Sequence, residues 1–393
     1  MSNEEQQLNA RIDKISSLSR RNFLKGVAKT SVVTLVGGVA PAIISPQSLA
    51  SSGELNLLTW PDYIWPDMIE SFEQQTGIKV RLSTYGGNDE AFDKLKAANG
   101  KGFDLIFPSV TNGNNYYPLG LLQALNDNKL DMDNLEPTLL DSSVKLGGTF
   151  HGKRYLLPFA WGTEAITFDS SVRDYRYGEL SYLDLWSADN LELATLRPKS
   201  ALISLGLALD YNGELPSDRM LNAYRSEVQF RSILEKATEF AIRHKNNART
   251  FWNNTSETLS AFQQSGCIIG QTWDGPGLTL NKLSKGRYRY MMPKEGGLAW
   301  MDSVGIPSGA ANVEQAYAFI NHLLKPRVGA MMANQSSYNS CVAGVEAYLL
   351  PEVREAYRAA YPKGALDNLW WWQQDTPYWV PVRQEYVDRF VAA

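Results

Sequence analysis

Along the first hundred residues after position 52, apolar and polar positions alternate in blocks that predict strands and helices in turn. Leu55–Thr59 reads as a short apolar strand, broken at Pro61. An amphipathic stretch from Pro66 to Thr76 stops at Gly77, and Ile78–Thr84 reads as a second strand. Gly86-Gly87-Asn88-Asp89 is a loop that caps a helix from Glu90 to Ala98. Phe103–Ser109 is a third strand, ending at Pro108-Ser109. This β-α-β-α-β order predicts a parallel sheet with helices on both faces. In such sheets, ligands bind off the strand ends. The first strand presents an indole, a carboxylate and a phenol there: Trp60, Asp62 and Tyr63.

Further on, Tyr155–Glu164 and Ala165–Phe168 read as a crossover into a second lobe. Helical and strand patterns continue through Ser204–Leu209, Tyr224–His244 and Cys267–Thr272, and a helix spans Val313–Leu324 before Lys325-Pro326. Two more strand ends carry an aromatic beside an acid, at Trp273-Asp274 and at Trp300-Met301-Asp302. Trp252 sits in a polar loop, and Trp161 precedes Glu164. A single Trp most often packs a core, and a single acid most often caps a helix or faces water. Repetition at sheet edges points instead to a shared cleft. Rings over methylenes and carboxylates on N–H groups are what an alkylammonium ligand requires.

Residues 1–50 read differently. Ser19-Arg20-Arg21-Asn22-Phe23-Leu24-Lys25 matches the twin-arginine export pattern, followed by an apolar run from Val27 to Ile44 and by Ser48-Leu49-Ala50 at a cleavage position. The alternative, a membrane anchor, is disfavoured because Lys29, Gly37 and Gly38 interrupt the run. A cleaved signal places the protein in the periplasm. The whole chain has 38 basic and 42 acidic residues. Removing the six basic and three acidic residues of 1–50 leaves 32 against 39, a net of −7. This balance argues against nucleic acid as a partner. The remaining length suggests two domains. Cys267 and Cys341 are compatible with a disulfide or with two buried thiols. The three histidines are scattered, and no nucleophile elbow, phosphate loop or dinucleotide fingerprint is present, so neither an enzyme nor a metal or other cofactor is indicated.

Across residues 54–345 the chain resembles the extracellular solute-binding proteins of ATP-binding-cassette importers, specifically the spermidine/putrescine-binding family. The residues that carry the resemblance are Leu58–Tyr63, Thr76–Val80, Ser83–Tyr85, Phe103–Ser109, Pro158–Thr163, Met292–Gly297, Trp300–Ser303 and Ile320–Pro326. The resemblance implies a two-lobe α/β fold of the type II periplasmic-binding-protein class, each lobe a mostly parallel sheet flanked by helices. The boundaries are residues 51–162 plus about 273–310 for lobe 1, and 163–272 plus about 311–393 for lobe 2. It implies a monomer that encloses a polyamine or related amine between the lobes and delivers it to a permease in the inner membrane.

Carried over by position, Trp60, Asp62 and Tyr63 form one wall, with Ser109 beside them. Trp252 and Trp273 stack on the ligand, Asp274 and Asp302 accept from the amine, and Asn339 adds a polar contact. There is one departure. Where polyamine binders place acids, this chain has Leu196-Arg197-Pro198-Lys199-Ser200, and Thr111 stands where an aromatic is common. Either Arg197 faces solvent, or the ligand is shorter or carries a carboxylate that Arg197 clamps. An envelope hydrolase or lyase on the same fold is a further alternative.

Overall fold

β1 (Glu54–Thr59) buries Leu55, Leu57 and Leu58 and pairs in parallel with β2 (Lys79–Thr84) and β3 (Leu105–Ile106), giving the order β2-β1-β3. Between β1 and β2, the helix Pro66–Thr76 starts with proline at its first position, where the missing N–H costs nothing. It ends at Gly77, whose positive φ of 74° lets its N–H cap the Glu73 carbonyl. Met68 and Phe72 form its buried face. The helix Asn88–Ala97 follows β2. The computed structural model describes residues 53–393, so the expected export segment lies outside the described residues.

A small hairpin, β4 (Thr149–Phe150) with β5 (Lys153–Arg154), precedes the organising strand of the molecule. This is β6 (Leu157–Asp169), whose 13 residues are all buried. β7 (Ala194–Leu196), β8 (Ala248–Phe251), β9 (Ile269–Trp273), β10 (Tyr288–Met291), β11 (Leu298–Val304), β12 (Asn339–Ser340) and β13 (Trp370–Trp371) complete the sheet around it. β10 and β11 run in tandem along one edge of β6, β9 and β12 along the other, all antiparallel to it. Parallel pairing is confined to β7 with β8 and β9, and β11 with β13. The first sheet is parallel as expected, whereas the second is mixed. A strand buried on both faces shows no alternation, so its pattern carries no information about direction.

The hydrophobic clusters divide the chain differently from the expected boundaries. One core joins residues between Leu55 and Trp161 to residues between Met301 and Val342, including the helices Val313–Leu323 and Pro326–Ser336. The other side of the molecule is built from Ile166 to Leu298 and from Trp370 to Phe390, with satellite clusters at Leu278, Tyr290 and Tyr361. Residues 274–298 therefore pack with the second lobe, and 313–342 with the first. The reason is the path of β11: it runs back along β6, with Leu298 in the second core and Met301 and Val304 in the first. β6 makes the same passage in the opposite sense, from Leu157 to Phe168. Cys267 and Cys341 are free thiols in separate clusters.

Candidate functional site

The ends of β1, β3 and β9 meet the middle of β11 at one cleft of about 280 Å³. On its first wall, Trp60 follows the last residue of β1 and donates its indole N–H to the Phe107 carbonyl at 3.0 Å. Its ring stands edge-on to Tyr85, 4.9 Å between centroids. Asp302 projects from the middle of β11 and is 4% exposed. Tyr63 donates its hydroxyl to Asp302 Oδ2, and Ser109 donates to Asp302 Oδ1 at 2.5 Å. Asn88 holds Ser109 in turn, accepting from its backbone N–H at 2.9 Å and donating to its Oγ at 2.8 Å. Burial raises the Asp302 carboxyl to about 6, partly opposed by the hydrogen bonds from Ser109 and Tyr63.

The second wall rests on Glu164, near the middle of β6 and 1% exposed. It accepts from Ser200 Oγ and from Gln271 Nε2 at 2.8 Å, and Arg197 Nη1 lies 3.4 Å from its other oxygen. Burial raises its pKa, with Arg197 acting against the shift. The Arg197 guanidinium also lies over the Trp273 ring, 4.6 Å from its centroid. Thr255 Oγ1, at the start of the helix Thr255–Gln263, donates to Asp62 Oδ2 at 3.2 Å and ties the two walls together.

Chemically, the first wall offers carboxylates to a cation beside aromatic faces. Among the described residues, no group of three or more His, Cys, Asp and Glu is arranged to hold a metal ion.

The family of bacterial extracellular solute-binding proteins matches residues 67–362. The chain belongs to that family. It is a solute-binding protein rather than an enzyme. The spermidine/putrescine-binding periplasmic protein of Salmonella typhimurium is 26% identical over 361 residues, 91% of this chain and 97% of the relative. The putrescine-binding periplasmic protein PotF of Escherichia coli is 27% identical over 339 residues, 82% of this chain and 86% of the relative. A solved structure of the spermidine/putrescine ABC transporter substrate-binding protein PotD from Streptococcus pneumoniae, in complex with calcium and HEPES, superposes with a TM-score of 0.70 at 23% identity. The match covers 86% of this chain and 98% of that one. The fold is that of the type II periplasmic binding proteins.

In this binding protein the cleft gathers Trp60, Asp62, Tyr63, Ser109, Arg197, Trp273 and Asp302. Three other expected residues lie outside its lining. Trp252 is fully buried, donates its N–H to the Gln271 carbonyl at 2.8 Å and stands edge-on behind Trp273. It braces the ring that faces the cleft.

Asp274 opens the helix Asp274–Leu283 and points away from Trp273, since successive residues leaving a strand face opposite sides. Its carboxylate accepts from Tyr361 at 2.8 Å and from Asn339 at 3.0 Å. Burial raises it to about 7. Asn339 is thereby spent on Asp274, and its neighbour Tyr338 lines the cleft instead. Both displacements are single-residue changes of face.

The cleft also contains residues that the sequence pattern did not single out as site residues: Trp300, Lys199, Trp372, Asp375 and Arg383. Trp300 shares the face of Asp302 two residues on, a relation legible from strand period alone. Nothing local marks Trp372, Asp375 or Arg383, which come from the far end of the chain.

Proposed function

We propose that this protein is the periplasmic receptor of an ABC importer, capturing a small amine of the polyamine type in its cleft and presenting it to the inner-membrane permease. The observation that carries the reading is Asp302, a buried carboxylate held by Tyr63 and Ser109 beside Trp60. A carboxylate kept from water awaits a cation, and an ammonium that docks there recovers the cost of burial. Relatives named for spermidine and putrescine support the same ligand chemistry. Asp62 and the ring of Trp273 complete the amine surface.

The reading includes a monomeric receptor exported by the twin-arginine route on Arg20 and Arg21. Replacing both arginines with lysine is expected to leave the protein in the cytoplasm, read by fractionation. Isothermal titration against putrescine, spermidine and agmatine tests the ligand class. Tight binding of an anion lacking any amine, with no response to the amines, would sink it.

The alternative of a solute clamped by Arg197 finds less support. Its charge is already paired with Glu164, and one face covers Trp273.

A further inference from the structure

Two other cations enter the cleft from the second wall. Lys199 lies in the first turn of the helix Pro198–Tyr211, whose positive end faces the same space. Arg383 lies in the helix Trp379–Ala392, beyond the residues 67–362 shared with the family. Both are partly buried, Arg383 lies 6.0 Å from the Trp372 ring centroid, and neither side chain makes a hydrogen bond or ion pair with another described residue. The nearest acids, Asp375 and Asp89, attract these cations through space but form no hydrogen bond to either side chain. Asp375 accepts from Asn112 at 2.6 Å, and Asp89 is exposed on the rim of the first lobe. Burial lowers the pKa of both cations; Asp375 opposes the shift at Arg383, while Arg383 and Arg197 push Lys199 further down against Asp89. Cations gathered in a partly dry cleft without hydrogen-bonded acids form a receptor for an anion.

We propose that Lys199 and Arg383 form a carboxylate subsite, so that the ligand is an ω-amino carboxylate with its amine at Asp302 and its acid between these two side chains. The proposal rests on the amine reading above and replaces the second ammonium of a diamine with a carboxylate. The planar guanidinium of Arg383 suits the two oxygens of a carboxylate, and Lys199 adds a point charge. A diamine lying in the same cleft would bring its far ammonium against both cations.

Isothermal titration of the purified protein with putrescine, γ-aminobutyrate and δ-aminovalerate tests it, since these differ chiefly in the charge of one end. We expect one of the amino acids to bind at least about tenfold more tightly than putrescine. Lys199→Gln and Arg383→Gln should each weaken amino-acid binding about tenfold or more, with putrescine unchanged or improved. Arg383→Lys should recover part of the loss. Circular dichroism checks that the variants fold, and Lys199 gives a second test where Arg383→Gln does not.

Tighter binding of putrescine than of both amino acids, or amino-acid affinity unchanged in the folded variants, would overturn the carboxylate subsite and leave the amine reading standing. Failure of every amine to bind would overturn both.

Discussion

Replacing Asp302 with Asn should stabilise the ligand-free protein while destroying its capacity to hold an amine. Asp302 is 4% exposed, and burial lifts its carboxyl from 3.8 to about 6. Because the folded value lies above the unfolded one, the contribution favourable to folding belongs to the protonated form. It is fully present below about pH 4 and is lost as pH rises through about 6. At neutral pH the wild type therefore carries a penalty of about two pKa units, or about 3 kcal/mol.

Asparagine has no charge to bury and can still accept from Tyr63 or Ser109, so a gain of about 1–3 kcal/mol is expected at pH 7, shrinking towards pH 5. Scanning calorimetry of ligand-free protein at both values measures the gain. In titration calorimetry, the same variant should lose amine affinity by about a hundredfold or more, the cost of removing one member of a buried charge pair. A ligand-free variant that melts no higher than wild type at pH 7, by a margin that does not change at pH 5, would refute the argument that burial rather than bonding dominates at Asp302.

Further tests follow from the same geometry. In wild type, amine affinity should fall about tenfold per pH unit below about pH 6, as Asp302 takes up a proton; a flat profile in titrations down to pH 5 would contradict this. Arg197→Ala should cost about 3–5 kcal/mol in urea unfolding, since it leaves the buried Glu164 without its counter-charge, and adding Glu164→Gln should restore most of it. Trp273→Ala should weaken amine binding by about tenfold through the lost aromatic face, whereas Trp252→Phe should act mainly on stability, its ring lying behind the cleft. Thr255→Val removes the hydrogen bond to Asp62 that joins the walls and should lower affinity severalfold, about 1 kcal/mol, seen as a faster off-rate by stopped flow.

The first wall of the cleft was legible in the chain because it is built locally. β1 ends at Thr59, so Trp60, Asp62 and Tyr63 had to emerge at the sheet edge. The second wall was not. Arg197 was visible as a cation out of place, but its partner Glu164 lies 33 residues earlier on β6, and only the sheet brings them together. Asp274 and Asn339 were misplaced by one step of strand alternation, which a turn can shift without leaving a mark in composition. The hydrophobic clusters cross the expected lobe boundaries for a related reason, because β11, rather than the turn at Trp273, carries the chain back to the first core.

The order of strands and helices, the aromatic and acidic strand end at Trp60–Tyr63 and the pairing of Trp300 with Asp302 on one strand follow from the sequence alone, since local period, turn residues and strand ends are short-range properties. Tertiary structure decided which residues face that edge. It turned Asp274 away from the cleft, paired Arg197 with Glu164 and brought Arg383 from the last helix into the cleft that Asp302 lines. Those outcomes depend on pairings across 30 to more than 200 residues, where burial and charge are settled by neighbours that no local pattern names.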